Sequence, residues 1–158
     1  MQIEIFESNV TKEDTKDLPH RVACRGIIEK EGKYLVVVLE KYDITTFPGG
    51  GIEGEESLEA CVIREVMEET GILCAPQKET IRIKEYFENS VWTNIYFLCD
   101  YINEESKPKL TQEERDLELT TKWVTKEWLL DNFEHNMTKH KFGPQIHNRE
   151  FLGLIHSL

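Results

Sequence analysis

Three glutamates, Glu65, Glu68 and Glu69, stand at positions i, i+3 and i+4 in the run Arg64-Glu65-Val66-Met67-Glu68-Glu69-Thr70. On an α-helix that spacing puts the three carboxylates on one face. Like charges packed this way destabilise an isolated helix by about 0.2–0.5 kcal/mol per pair. A bound divalent cation reverses that sign, and hard oxygen donors of this kind suit magnesium or manganese. Val62, Ile63, Val66 and Met67 fall roughly on the other side, so the helix can bury one stripe and present acids on the other. Three acids on one helix are more often just a solvated face. Two neighbours argue for more: Arg64 directly precedes the acids, and a Pro-Gly-Gly-Gly loop, residues 48–51, lies upstream. That loop is no P-loop, since no Gly-Lys-Ser/Thr follows it.

The spacing extends further. Counted from Gly50, the chain reads Gly, five residues, Glu56, seven residues, then Arg64-Glu65-Val66-Met67-Glu68-Glu69-Thr70-Gly71-Ile72. This segment resembles the Nudix box, G-x5-E-x7-R-E-U-x-E-E-x-G-U with U apolar, and every specified position is filled. The resemblance implies an α/β fold, an α/β/α sandwich with a mixed central sheet. It also implies a Mg²⁺- or Mn²⁺-dependent hydrolase that cleaves a diphosphate linkage in a nucleoside diphosphate derivative. Residue by residue, Glu65, Glu68 and Glu69 match the family's metal-ligand glutamates, and the backbone carbonyl of Gly49 matches a further ligand position. Arg64 and Glu56 match a pair that ties the loop to the helix, with Glu56 also near the metal. Gly50 and Gly71 match backbone positions that a side chain would obstruct.

In chemistry of this kind, metal ions neutralise the diphosphate oxygens and make a water acidic enough to attack one phosphorus. A carboxylate that takes the water's proton contributes about 10²–10⁴-fold. In the family this base is either a box glutamate or an acid on a downstream loop, and here the loop offers Glu113, Glu114, Asp116 and Glu118. Glu65 and Glu118 are the leading candidates, while the plain reading of most loop acids is a solvated cluster. Arg21 and Arg25, four apart on a predicted strand, share a face and are candidates to contact substrate phosphate. Lys41 is a third. Tyr86, Phe87, Trp92 and Tyr96 are the aromatics that could stack on a base, against a default of core packing.

The elements that must position these groups follow from patterning. Residues 3–6 form a short strand, and the polar stretch 8–19 reads as a connector. Residues 20–41 read as two strands joined at Glu31-Gly32, and 45–51 as a short strand opening into the glycine loop. Ser57 is an N-cap for a helix running to about Thr70, with Gly71 at its C-terminal end. Residues 72–102 are strand material with a turn at Asn89-Ser90, and 103–116 a charged loop. A last strand is expected over 118–124, a helix over 125–133, and an amphipathic helix over 144–156 burying Ile146, Phe151, Leu152 and Ile155.

The chain of 158 residues suits one domain spanning its whole length. No stretch of apolar residues is long enough for a membrane span, and the N-terminus has no secretory signal, so a cytoplasmic protein is expected. Cys24, Cys61, Cys74 and Cys99 form no C-x-x-C pair and read as buried free thiols. A net charge of −11 disfavours extended nucleic acid as a partner. It also means that cations must lie between the carboxylates and any phosphorylated substrate.

Downstream of the box, Phe87 and Glu88 occupy the zone where a proline accompanies ADP-ribose preference in the family, so that signal is absent. A small nucleotide such as a (deoxy)nucleoside triphosphate is the default substrate. Two rivals stand beside it: a Nudix-like module that senses a nucleotide without cleaving it, and a pyrophosphohydrolase acting on RNA 5′ ends. The first usually lacks box acids, which this chain retains, and the second sits poorly with the charge. A homodimer is compatible with the family resemblance.

Overall fold

The computed structural model describes residues 1–135 and 138–158. The chain begins with β1 (Gln2–Phe6), β2 (His20–Lys30), β3 (Lys33–Leu39), β4 (Ile44–Thr46) and β5 (Gly49–Gly51). The acidic helix α1 (Leu58–Thr70) follows, then the long strands β6 (Ile72–Tyr86) and β7 (Val91–Glu104). The last part holds α2 (Gln112–Asp116), β8 (Leu119–Thr125), α3 (Lys126–His135) and α4 (Gly143–Ile155). The strands form one mixed sheet in the order β1-β6-β7-β2-β3-β4, with β5 beside β2 and β8 beside β3. β1 runs parallel to β6 and β2 parallel to β7, while the hairpins β2–β3 and β6–β7 are antiparallel.

Side-chain alternation along the central strands builds the layers. Ile28 of β2 and Leu35 of β3 pack in one cluster with Cys61, Val62 and Val66 of α1. Their neighbours Ile27 and Val36 pack on the other side with Leu129 and Phe133 of α3 and Leu154 of α4. The sheet is thus covered on both faces, and the α/β sandwich expected from the sequence is the fold observed. All four cysteines are buried and free. Among the described residues no helix is long and apolar enough to cross a membrane.

Local signals explain most boundaries. Glu31 and Gly32 both have positive φ, 52° and 77°, as a two-residue hairpin loop requires. Ser57 caps α1 by accepting the Ala60 N–H at 3.1 Å, and Gly71 ends the helix at φ 77° with its N–H on the Met67 carbonyl. A Cβ at Gly71 would also lie 1.9 Å from the Ser106 carbonyl oxygen. Gly71→Ala should therefore destabilise the protein by about 2 kcal/mol or more in urea titration, because left-handed strain alone costs alanine about 1–2 kcal/mol.

Three expectations need correction. A 3₁₀ turn, Glu13–Thr15, interrupts the stretch read as a connector. The segment 103–116 is not all loop: β7 extends to Glu104, and Gln112–Asp116 is helical under a capping box from Thr111 to Glu114. A helix this short carries no apolar stripe, so periodicity could not reveal it. In α4, Ile155 is exposed and Leu154 fully buried, together with His147, Arg149 and Glu150. That helix buries charge as well as hydrocarbon, which shifts its inward face.

Candidate active site

β5 is built for close approach. It runs antiparallel to β2, with Gly49 opposite Arg25 and Gly50 opposite Cys24. A Cβ on Gly49 would sit 2.2 Å from the Cys24 carbonyl oxygen, and one on Gly50 would sit 2.6 Å from the Glu65 carboxyl carbon. Without side chains there, α1 can lay the Glu65 carboxylate directly on the loop backbone. The helix also brings Glu69 under the loop, where its Oε1 accepts the Gly49 N–H at 3.2 Å.

The acids do not share one solvent-facing surface as the sequence suggested. Glu69 is 4% exposed, Glu65 is largely covered, and only Glu68 is substantially open. Burial pushes the Glu69 carboxyl up to about 8, opposed by the nearby Arg25 charge. Burial raises Glu65 as well, against the pull of Arg64. Arg64 meets Glu56 through two hydrogen bonds of 2.6 and 3.1 Å and holds its carboxyl down at about 2. The same guanidinium reaches Glu65 at 2.8 Å, Glu68 at 3.3 Å and the Gly51 carbonyl at 3.1 Å. Loop and helix are therefore tied by one cation.

Among the described residues no three acidic, histidine or cysteine side chains are gathered closely enough to hold a metal ion as they stand. Glu56, Glu65 and Glu68 each contact Arg64 instead. The donor chemistry nonetheless fits a hard divalent cation. Among the described residues, Glu69 is a desolvated carboxyl whose charge, when ionised, is offset by the Gly49 N–H and the nearby Arg25. Glu65 lies beside it over the glycine backbone.

The other candidates are dispersed. Arg25 lies at the site, but its guanidinium is engaged: Nε donates to Asn94 at 2.9 Å and Nη1 to the Phe47 carbonyl at 3.2 Å. Arg21 is exposed near the start of β2, opposite Trp92. Lys41 is exposed with its ammonium 5.5 Å from the Tyr42 ring. Glu118 is exposed at φ 57°, its carbonyl accepting the Glu40 N–H. The loop acid whose charge acts on both Glu65 and Glu69 is Glu114 of α2.

Arg25 also lines a cleft of about 690 Å³ between β6, β7 and α4. Phe87, Trp92, Phe142 and Ile146 supply its apolar walls. Of the four aromatics considered for stacking, Phe87 and Trp92 face this space, whereas Tyr86 and Tyr96 are buried. The polar floor was not foreseen. Arg149 bonds Glu150 at 2.8 Å and Glu85 at 3.4 Å, Asn94 and Gln145 donate to Glu85, and Tyr96 donates to Glu150 at 2.6 Å. These groups come from β6, β7 and α4, so no local spacing could have joined them.

The NUDIX domain family model matches residues 18–146. A NUDIX hydrolase from Nitrosomonas europaea superposes at TM-score 0.61 with 21% identity, covering 85% of this chain and 90% of its own. A MutT protein from Methanosarcina mazei Go1 gives 0.60 with 20% identity, covering 85% and 95%. An ADP-ribose pyrophosphatase from Streptococcus suis 89-1591 gives 0.56 with 19% identity, covering 87% and 91%. At such identities these structures share the fold. No curated protein matches the chain.

Proposed function

The protein belongs to the NUDIX family, with the family match spanning residues 18–146, and from that premise we propose that this hydrolase cleaves the diphosphate linkage of a small nucleotide, a (deoxy)nucleoside triphosphate being the first choice. The observation that carries the reading is the buried Glu69 beside Glu65 and the glycine backbone, one arginine away from an aromatic-walled cleft. Such a cleft falls in the size range of small-molecule sites, about 300–1,000 Å³.

Glu65, Glu68, Glu69, Glu56 and the Gly49 carbonyl are the groups proposed to hold Mg²⁺ or Mn²⁺. When bound, the metal neutralises diphosphate oxygens and acidifies an attacking water. Arg64 fixes Glu56 and the loop against the helix and sets where the acids point. Glu65, with a raised carboxyl pKa, is the base we favour for the water's proton. Glu114, whose charge is felt at both Glu65 and Glu69, joins Glu118 as a loop acid proposed to assist. Arg25 bridges the metal region and the cleft, and Trp92 and Phe87 offer faces to a nucleobase.

The test is turnover over a nucleotide panel with Mg²⁺ and Mn²⁺, identifying the products. Release of a monophosphate and pyrophosphate from one substrate supports the reading, and binding without turnover of any member rejects it in favour of a sensor. A second expectation concerns Trp92. Trp92→Ala should raise KM about tenfold while leaving kcat nearly unchanged, since a base stacked on an aromatic ring contributes about 1–3 kcal/mol. Steady-state kinetics on the preferred nucleotide check it.

A further inference from the structure

The strand leading into the glycine loop lies at an edge of the sheet. Among the described residues β4 pairs with β3 alone, through Val38–Thr45 and Val37–Thr46. The Thr45 and Phe47 N–H groups, two residues apart, point the same way off that edge and need partners once buried. α4 supplies both. His147 Nε2 accepts the Thr45 N–H at 2.9 Å, and Glu150 Oε2 accepts the Phe47 N–H at 2.8 Å. His147 and Glu150 are three apart, so they rise from one helix face, and they are 1% and 0% exposed.

We propose that His147 and Glu150 are positioning residues for the metal site: through Thr45 and Phe47 they fix the backbone that ends in the Gly49 carbonyl. The inference rests on the metal-binding role proposed above for that carbonyl. Pro48 has no N–H and a restricted φ, so the path from Phe47 to Gly49 is stiff and transmits the anchor. Arg25 pins the same stretch from the sheet by donating to the Phe47 carbonyl, and it stands 3.7 Å from Glu150. His147 must be neutral at Nε2 to accept, and burial lowers its pKa in that sense. His147 tilts against the Phe133 ring and lines a separate hollow with Glu134, Pro144 and Phe151, none of which line the nucleotide cleft, so changing it leaves the cleft walls alone.

Mn²⁺ binding, followed by the EPR signal of the free ion, tests this without relying on turnover. His147→Leu, which keeps bulk but loses the acceptor, should weaken Mn²⁺ affinity about tenfold, the usual scale for groups that orient metal ligands. His147→Gln, whose carbonyl oxygen can take the same N–H, should recover most of it. The nucleotide KM at saturating Mn²⁺ should stay within about twofold of the parent in both. Should His147→Leu fail to fold, Glu150→Asp, which keeps the charge facing Arg149 but withdraws it from Phe47, is read by Mn²⁺ affinity alone, because Glu150 also belongs to the cleft floor. Wild-type Mn²⁺ affinity in a folded variant, or equal losses for Leu and Gln, overturns the proposal. Absence of Mn²⁺ binding to the parent protein would instead remove the metal reading, and this inference with it.

Discussion

Replacing Glu69 by glutamine is expected to lower turnover about 10³-fold and, in metal-free buffer, to raise thermal stability. The two effects have one cause. Glu69 is 4% exposed, and burial holds its carboxyl at about 8 against an ordinary value of 4.5. A carboxyl whose folded pKa is raised binds its proton more tightly in the folded state, so its contribution is most favourable below about pH 4.5 and is lost as pH rises through 8. At pH 7 the penalty is up to about 3 kcal/mol, taking about 1.36 kcal/mol per pKa unit. Glutamine is neutral and can still accept the Gly49 N–H, so it removes the penalty and keeps the hydrogen bond. The loss of rate corresponds to about 4 kcal/mol of electrostatic stabilisation forfeited with a metal ligand. Melting curves in EDTA between pH 5 and 8 check the stability half: the gap between variant and parent should open as pH rises, and Mg²⁺ should narrow it by stabilising only the parent. A gap independent of pH, or full activity in the variant, would contradict the assignment of Glu69.

The same residue marks the boundary of what the sequence could disclose. Glycine, arginine and glutamate at fixed spacing located the loop and helix, and Ser57 and Gly71 gave the ends of α1, because these are local signals. Helical spacing showed that Glu65 and Glu69 share a face, but it could not tell that the face meets β5 and not water. That depends on Gly49 and Gly50 pairing with β2, a contact across more than twenty residues. Arg25 was legible as a cation near phosphate, yet three of its neighbours, Asn94, Phe47 and Glu150, come from three other parts of the chain. The loop acid was harder still. Glu113, Glu114, Asp116 and Glu118 look alike in sequence, and only the fold separates Glu114, capping α2 and felt electrostatically at Glu65 and Glu69, from Glu118 in an exposed turn.

Arg149→Met should be the most destabilising change at the cleft, by about 3–5 kcal/mol, because it strips the charge partner from two buried carboxylates at once. Glu85 and Glu150 are 2% and 0% exposed, and Arg149 joins both. Arg25, 3.7 Å from Glu150, can offset only part of the loss, and Asn94 and Gln145 give Glu85 hydrogen bonds but no charge. A buried ion pair is not in itself strong evidence for stability, since an apolar pair of similar volume often does as well. The informative comparison is therefore the double variant. Adding Glu85→Gln to Arg149→Met removes one stranded charge and should recover stability where the single Glu85→Gln change loses it. A coupling energy above about 1 kcal/mol in urea titration is the expected sign of direct contact in a desolvated setting. Near-additive effects, or a loss below about 1 kcal/mol for Arg149→Met, would mean that water reaches the floor of the cleft and screens these charges. In that case Trp92 and Phe87 would line a wet channel, and the stacking contribution expected of Trp92 would shrink with it.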